Sequence, residues 1–309
     1  MLRFIAWRVA QFPLILAIIY LVTFMLCWVA PGDPFTRTDR NVSQEVKDAL
    51  RTKYHAQHWY TFLAWYPTNA ILHGDLGPSL TNASTSVNQI IWQRLPVSLE
   101  IGVAALAIAT LGGVCIGTLA AVQRDGPIDW FSLMVALGGI SIPSFVAASV
   151  LIATFAVRFK IFPTDGWQPG RVSDMVLPSL ALSLMPMAYL ARLTRVSMID
   201  ILGSDYIRTA RAKGLSRTKV IWKHALRNAL LPVLSYLGPA AATTLVGSFV
   251  IEKVFNIPGL GTVFVDSVQN RDQTLILGSV MVESALLLAM NLVVDIGYGF
   301  LDPRIEVQG

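Results

Sequence analysis

Charged side chains are scarce in this sequence. Asp, Glu, Lys and Arg make up 14% of its 309 residues, against about 25% in an average soluble domain, which argues against an ordinary cytosolic enzyme. Cysteine is scarcer still. Cys27 and Cys115 both lie within apolar runs and far from any C-x-x-C spacing, so no disulfide framework or zinc site is supported, and both read as small buried hydrophobes. His55, His58, His73 and His224 stand outside the long apolar runs, and neither H-E-x-x-H nor G-x-S-x-G occurs, which removes the commonest zinc-protease and hydrolase signatures. A G-x-x-x-x-G-K-[ST] loop is missing too. Lys213-Gly214 has the reverse order, so the chain carries no such cradle for ATP phosphates.

Apolar residues take the place of charge, at 54% of the chain and a mean hydropathy of +0.57. From Val9 to Ala30 no residue carries a formal charge, and about 20 helical residues cross a hydrocarbon layer of about 30 Å. This run exceeds the apolar core of a cleavable signal peptide, about 7 to 15 residues, and reads as an uncleaved first span. Further runs follow at 96–122, 131–157, 177–190, 232–251 and 274–300, the fourth extended by a snorkelling Arg192. The expected architecture is therefore all-α, a polytopic membrane protein of six transmembrane helices. Residues 1–30 form the N-terminus and first span, 31–94 a segment outside the membrane, and 95–309 a five-helix core that includes the loop 192–231.

The formal net charge of +5 matters through its placement. Nine of the 24 Lys and Arg residues fall between Arg192 and Arg227, opposed only by Asp200 and Asp205. Such a basic loop marks the cytoplasmic side; an even number of spans then puts both termini there as well. Nucleic acid is not indicated. Segment 31–94 falls on the opposite face, with six basic and five acidic residues and the aromatic cluster Trp59, Tyr60, Phe62, Trp65 and Tyr66. That composition suits short amphipathic helices at the membrane interface.

The long basic loop has its own punctuation. Ser204 or Asp205 caps a short helix that stops at Gly214, and Ser216 caps a second helix running to Pro232, because Ser and Asp favour N-caps and Gly favours the left-handed C-terminal position. On the second helix Lys219, Lys223 and Arg227 fall at i, i+4 and i+8, one basic stripe. A solvated face touching anionic lipid headgroups is one reading; a docking site for a protein partner is the other.

Taken whole, the loop resembles that of ABC importer permeases, in which Glu-Ala-Ala and an offset Gly form the coupling helix that docks on the ATPase subunit. Ala210 and Gly214 match, while Arg208 stands in the place of the Glu and Thr209 in that of the first Ala. This departure is itself like the dipeptide and oligopeptide branch, whose loop is similar to Tyr206–Gly214 followed by His224-Ala-Leu-Arg-Asn-Ala-Leu-Leu-Pro232. Other strings of that branch recur in order: Ala30-Pro-Gly-Asp-Pro34, Gly74-Asp-Leu-Gly-Pro-Ser79, Ser141-Ile-Pro-Ser-Phe145, Ala191-Arg-Leu-Thr-Arg195, Pro258-Gly-Leu-Gly261, Val294-Asp-Ile-Gly-Tyr298 and Leu301-Asp-Pro-Arg304. The chain thus resembles the B-type permease subunit of dipeptide/oligopeptide ABC importers along nearly its whole length.

That resemblance implies a type I ABC importer permease fold in a bacterial inner membrane and a non-catalytic subunit that binds no cofactor. Its implied partners are a homologous C-type permease (a heterodimer), two ATP-binding subunits holding ATP and Mg, and an extracytoplasmic substrate-binding protein. The implied ATPase-coupling residues are Asp205, Tyr206, Ala210, Arg211, Gly214, His224 and Asn228. For the binding protein the candidates are Trp59, Trp65 and Asp75 with Pro258 and Gly259 of the outer turn; interfacial anchoring of the aromatics in membrane lipid is the competing reading. The same architecture also carries nickel or other small solutes.

Polar residues inside the spans complete the candidates. A charge at a helix centre costs about 2.5 to 3.5 kcal/mol on insertion scales, so Glu283 in the sixth run and Glu100 in the second need a reason. For Glu283 the choices are contact with a peptide ammonium group in transit and a structural hydrogen bond to a neighbouring helix. Gly113 and Gly117 form a Gly-x-x-x-Gly pair for close helix packing, and Pro143 and Pro186 kink the third and fourth spans. A secondary transporter, the competing mechanism class, needs internal repeats or interrupted spans with ion-coordinating residues; no clear repeat is visible.

Overall fold

The structure is a computed structural model and describes residues 2–30, 52, 57–80 and 85–301. All six apolar runs are helical. The order is α1 (Leu2–Val29), α2 (Trp59–His73), α3 (Val87–Val122), α4 (Pro127–Ser141) and α5 (Ser144–Leu151), the last continued by a π-helical turn Ile152–Arg158. After α6 (Val172–Leu202) comes the short α7 (Asp205–Ala212), then a single turn Arg217–Lys219 and a π-helical turn Val220–Ala225 that lead into α8 (Leu226–Val254). The last two helices are α9 (Leu260–Asn270) and α10 (Gln273–Leu301). Among the described residues β structure is limited to a single antiparallel bridge between Pro78 and Ser86.

Helix α3 begins earlier than the apolar run suggests. Ser86 caps it by accepting the Gln89 N–H at 3.2 Å, so the helix starts inside the segment expected to lie outside the membrane. At about 1.5 Å per residue its 36 residues reach about 54 Å, which exceeds the hydrocarbon layer and lets the first turns project beyond it. It packs along α6, and glycine makes this possible: a Cβ on Gly113 would stand 2.7 Å from the Leu190 Cβ, and one on Gly117 would run into the Ala191 carbonyl and Thr194. The expected Gly-x-x-x-Gly contact is thus between α3 and α6.

The third span differs from expectation. Rather than one kinked helix it is two, α4 and the α5 segment, turned by 109°. Pro143 disfavours helical backbone at the residue before it, and Ile142 lies at φ −86°, ψ 120°, so the chain leaves the helix and restarts at Ser144. Pro186, by contrast, is buried within an unbroken α6. The second loop helix also does not stop at Pro232: α8 runs through Pro232 and Pro239, so loop helix and fifth span are one continuous rod.

Two ends of the bundle are defined by long-range contacts. At one, Arg8 near the start of α1 pairs with Asp295 near the end of α10, Nε to Oδ2 3.2 Å, and Arg217 reaches the Val122 carbonyl at 3.3 Å. At the other, Gln273 at the start of α10 donates to the Cys27 carbonyl of α1. There Tyr20, Phe24, Phe62, Tyr66 and Leu277 form one apolar cluster. The central core joins Ile101 and Ala105 of α3, Leu177 and Ala181 of α6, and Ile251 of α8 with Phe255 and Ile257. Contrary to expectation Cys115 is exposed and Cys27 only half-buried, because an apolar side chain facing hydrocarbon gains nothing by turning inward.

Candidate functional site

At the α7 end, sequence spacing and geometry agree on a projecting corner. Ser204 and Ser216 take extended backbone at the two N-cap positions, though neither side chain makes the expected cap hydrogen bond. Ser204 donates to the Ile201 carbonyl instead, and Asp205 pairs with Arg208 at 3.3 Å in full solvent. Gly214 has φ +78°, with nothing within 4 Å of where a Cβ would be; the N–H of Gly214 donates to the Arg211 carbonyl at 2.9 Å and that of Leu215 to Ala210 at 3.3 Å. A left-handed residue closes α7 and reverses the chain.

One face of α7 is glued down and the other is bare. Ile207 and Ala210 are buried against Met198, Val220, Ala225 and Ala229. Tyr206 is brought to His224 and Asn228: Asn228 Nδ2 donates to the tyrosine oxygen at 2.9 Å, and the phenol donates to the His224 carbonyl at 3.4 Å. Asp205, Arg208, Thr209 and Arg211 point outward. Lys219, Lys223 and Arg227 are exposed too, but the π-helical turn Val220–Ala225 interrupts the 3.6-residue spacing of the expected stripe. The result is a rigid knob whose solvent face is polar and whose root is apolar.

A buried ion pair behind this knob went unnoticed in the sequence. Asp129, in the first turn of α4, accepts Arg195 Nε at 2.5 Å and Nη2 at 2.6 Å, and its Oδ2 also takes the Asp125 N–H at 3.0 Å. The carboxylate is almost fully enclosed and the guanidinium about four-fifths so. Bidentate Arg–carboxylate pairs are strong and directional. The pair ties the loop between α3 and α4 to α6, one helix away from α7.

At the opposite end, the turn before α9 is organised by Glu252, a residue that no sequence motif singles out. It is completely buried. Ser98 of α3 donates to its Oε1 at 2.7 Å, the Thr262 N–H donates to Oε2 at 3.2 Å, and Ser98 Oγ in turn accepts the Leu260 N–H at 2.7 Å. Gly259 is needed because a Cβ there would strike this carboxylate. Gly259 is accordingly buried, while Pro258 is partly open and its carbonyl accepts from Arg94 at 3.3 Å. Beside this hub lies a small cavity lined by Glu283 with Ser98, Phe249, Leu260, Leu286 and Leu287. Glu283 therefore faces the helix bundle, whereas Glu100 is exposed on the surface of α3; the two candidates are not brought together.

The aromatic segment divides in the same way. Trp59 is 48% exposed, but Phe62 and Tyr66 are core, and Trp65 is packed against them, 6.0 Å from the Phe62 ring. Asp75 is exposed, and its Oδ1 accepts the Gly77 N–H at 2.9 Å. The neighbouring string through Ser79 forms a latch: Ser79 donates to Asp272 at 2.5 Å, Asp272 caps α10 by accepting the Leu275 N–H at 3.1 Å, and Thr274 donates to the Pro78 carbonyl at 2.6 Å. Residues 31–51, at the start of the segment expected to meet a binding protein, lie outside the described residues.

Known proteins match this arrangement along its length. The family described as binding-protein-dependent transport system inner membrane component matches residues 113–307. The dipeptide transport system permease protein DppB of Bacillus subtilis (strain 168) is 44% identical over 308 residues, covering 100% of this chain and 99% of its own. The oligopeptide transport system permease protein OppB of Escherichia coli (strain K12) is 40% identical over 306 residues, 99% of this chain and 100% of its own. Among solved structures, the inward-facing MetNI methionine ABC transporter superposes with a TM-score of 0.56 at 16% identity, covering 69% of this chain and 96% of that one, a likeness of fold. A helical bundle with a projecting Gly-closed corner, matched end to end by such permeases, belongs to the inner-membrane permease family of binding-protein-dependent ABC importers.

Proposed function

We propose that this chain is one of two membrane-spanning halves of an ATP-driven peptide importer and leaves hydrolysis to separate ATP-binding subunits. The observation that carries the reading is full-length similarity to dipeptide and oligopeptide permeases, joined to a corner built for docking: α7 is fixed by Ile207 and Ala210 while Asp205, Tyr206, Arg208 and Arg211 remain available. Such a corner can be pushed only if a partner prefers it differently in two states. ATP and Mg on the partner ATPases supply that preference. The α7 end is then cytoplasmic, as its basic charge requires, and both termini share it, since Arg8 and Asp295 meet there.

The opposite end receives the loaded binding protein. Trp59, Tyr60 and Asp75 are its exposed elements, together with the Pro258 turn beside Glu252. A second, homologous permease completes the pathway. Affinity purification of the intact complex, with identification of the co-purifying subunits and of the solute held by the binding protein, tests the whole reading. Two ATPases, a second permease and a peptide-loaded binding protein are expected; nickel or another small solute in that protein overturns the peptide assignment, and recovery of the chain without ATPases overturns the importer.

A further inference from the structure

Helix α4 has the mechanical features of a lever. Its N-terminal end is held by the Asp129–Arg195 pair, whose carboxylate is nearly inaccessible to water. Its C-terminal end stops at the Ile142–Pro143 joint, where the chain turns by 109° into α5. Between these points α4 meets α6 through small residues, Ser132, Ala136 and Gly139 against Leu184 and Ala188, with a cavity left along the seam. The contact is close at Gly139, where a Cβ would stand 2.9 Å from the Ala188 Cβ, and loosens only beside the cavity, where a void supplies no contacts on one side. The other face of α4 presents Trp130, Phe131, Met134 and Leu137, all more than 60% exposed. To the apolar contact with α6 the ion pair adds a strong, directional attachment of α4 to that helix.

That attachment sits on the helix moved by the corner. Arg195 lies about two turns before the end of α6, and Met198, one turn further on, is already part of the seat of α7. Arg217, just past the Gly214 corner, grips the Val122 carbonyl at the start of the α3–α4 loop. Displacement of α7 thus reaches α4 from both sides, through α6 and Arg195, and through Arg217 and the loop.

Resting on the importer reading above, we propose that Asp129 and Arg195 are positioning residues that pin α4 to the cytoplasmic end of α6, so that movement of the coupling corner is delivered to α4 and from there to the Pro143 joint. Neither residue touches solute or nucleotide. Their loss does not remove a binding site; it lets the corner move without taking α4 along, and ATP is then hydrolysed without transport.

The test is the ratio of solute taken up to ATP hydrolysed by the complete complex in vesicles, with Asp129→Asn, Arg195→Gln, Asp129→Glu and the exchanged pair Asp129→Arg with Arg195→Asp. Assembled neutral variants are expected to keep hydrolysing ATP while the ratio falls within the range of about 5- to 150-fold that coupling energies span. The exchanged pair is expected to recover part of it. A purely structural salt bridge would lower uptake and hydrolysis together and leave the ratio unchanged, and an unchanged ratio in an assembled neutral variant overturns the proposal. If neither neutral variant assembles, Asp129→Glu decides: it keeps the charge but lengthens the arm, so a lowered ratio supports the proposal and an unaltered one overturns it. The solute is whatever the complex's own binding protein holds, so a cargo other than peptide refutes the peptide reading and leaves this readout intact.

Discussion

Replacing Gly214 separates backbone geometry from every other property of the corner. A Cβ at this position would meet nothing within 4 Å, so no substitution fails by collision. What remains is the conformation. Holding an L-residue at φ +78° costs about 1 to 2 kcal/mol, and more for a β-branched residue, whereas Asn tolerates this region. On the other side, the hydrogen bonds that close the corner, Gly214 N–H to Arg211 and Leu215 N–H to Ala210, contribute about 1 kcal/mol each. Strain and closure are of the same size, so an Ala or Val brings the corner near a balance between formed and open. The whole domain, with a stability of about 5 to 15 kcal/mol, stays folded. Gly214→Asn is expected to couple nearly as the unaltered protein does, Gly214→Ala less, and Gly214→Val least, read as ATPase stimulation by the loaded binding protein in reconstituted complexes of equal assembly. Full stimulation and uptake in Gly214→Val, or a ranking with Asn below Val, would refute the assignment of the corner.

Other parts of the molecule answer to their own measurements. Glu252→Ala strands the Ser98 hydroxyl and the Thr262 N–H, at about 1 to 3 kcal/mol for each orphaned group, so the complex should melt earlier and the turn before α9 should become cleavable; unchanged melting would contradict the hub. Glu283→Gln is expected to leave assembly intact and to weaken uptake of peptides with a free ammonium group more than of N-acetylated ones, and equal effects on both classes would leave Glu283 a structural residue. Phe62→Ala, a fully buried ring, should cost about 3 to 5 kcal/mol, while Trp59→Ala should leave stability untouched and reduce capture of the loaded binding protein; the opposite pattern would place the docking surface elsewhere.

What could be read beforehand was what is written in consecutive residues. Run length shows, among the described residues, four helices long and apolar enough to span, and a fifth if the bent third run is counted as one; Gly214 shows the corner, and the spacing of Gly113 and Gly117 shows a close crossing. Pro143 announces a disturbance, yet its size is set by whether α6 and α8 hold both halves, which no local pattern contains. The pairing of Asp129 with Arg195 joins residues 66 apart, and each alone resembles an ordinary charge in a loop. Glu252 is hidden for the opposite reason: at the end of an apolar run it reads as the place where a helix meets water, and only the fold shows that Ser98 and the outer turn close over it. The aromatic segment was misleading through composition alone, since Trp and Tyr serve equally in a core, at an interface and on a docking face.

The Arg8–Asp295 contact orders events in time as well as in space. The first helix emerges from the ribosome long before the last, yet its contacts are with α2 and with α10, through Tyr20, Phe24, Phe62, Tyr66 and Leu277 and through this ion pair. Until synthesis is almost complete α1 has only α2 to rest on, and the side that α10 will cover stays in the lipid. Contacts between the two extremes of a chain form late because the loop they close is the longest available. Docking of α1 on α10 is thereby a signal that the whole permease has been made, and a chain truncated before α10 leaves its first helix held by α2 alone, with no Asp295 for its Arg8 to meet.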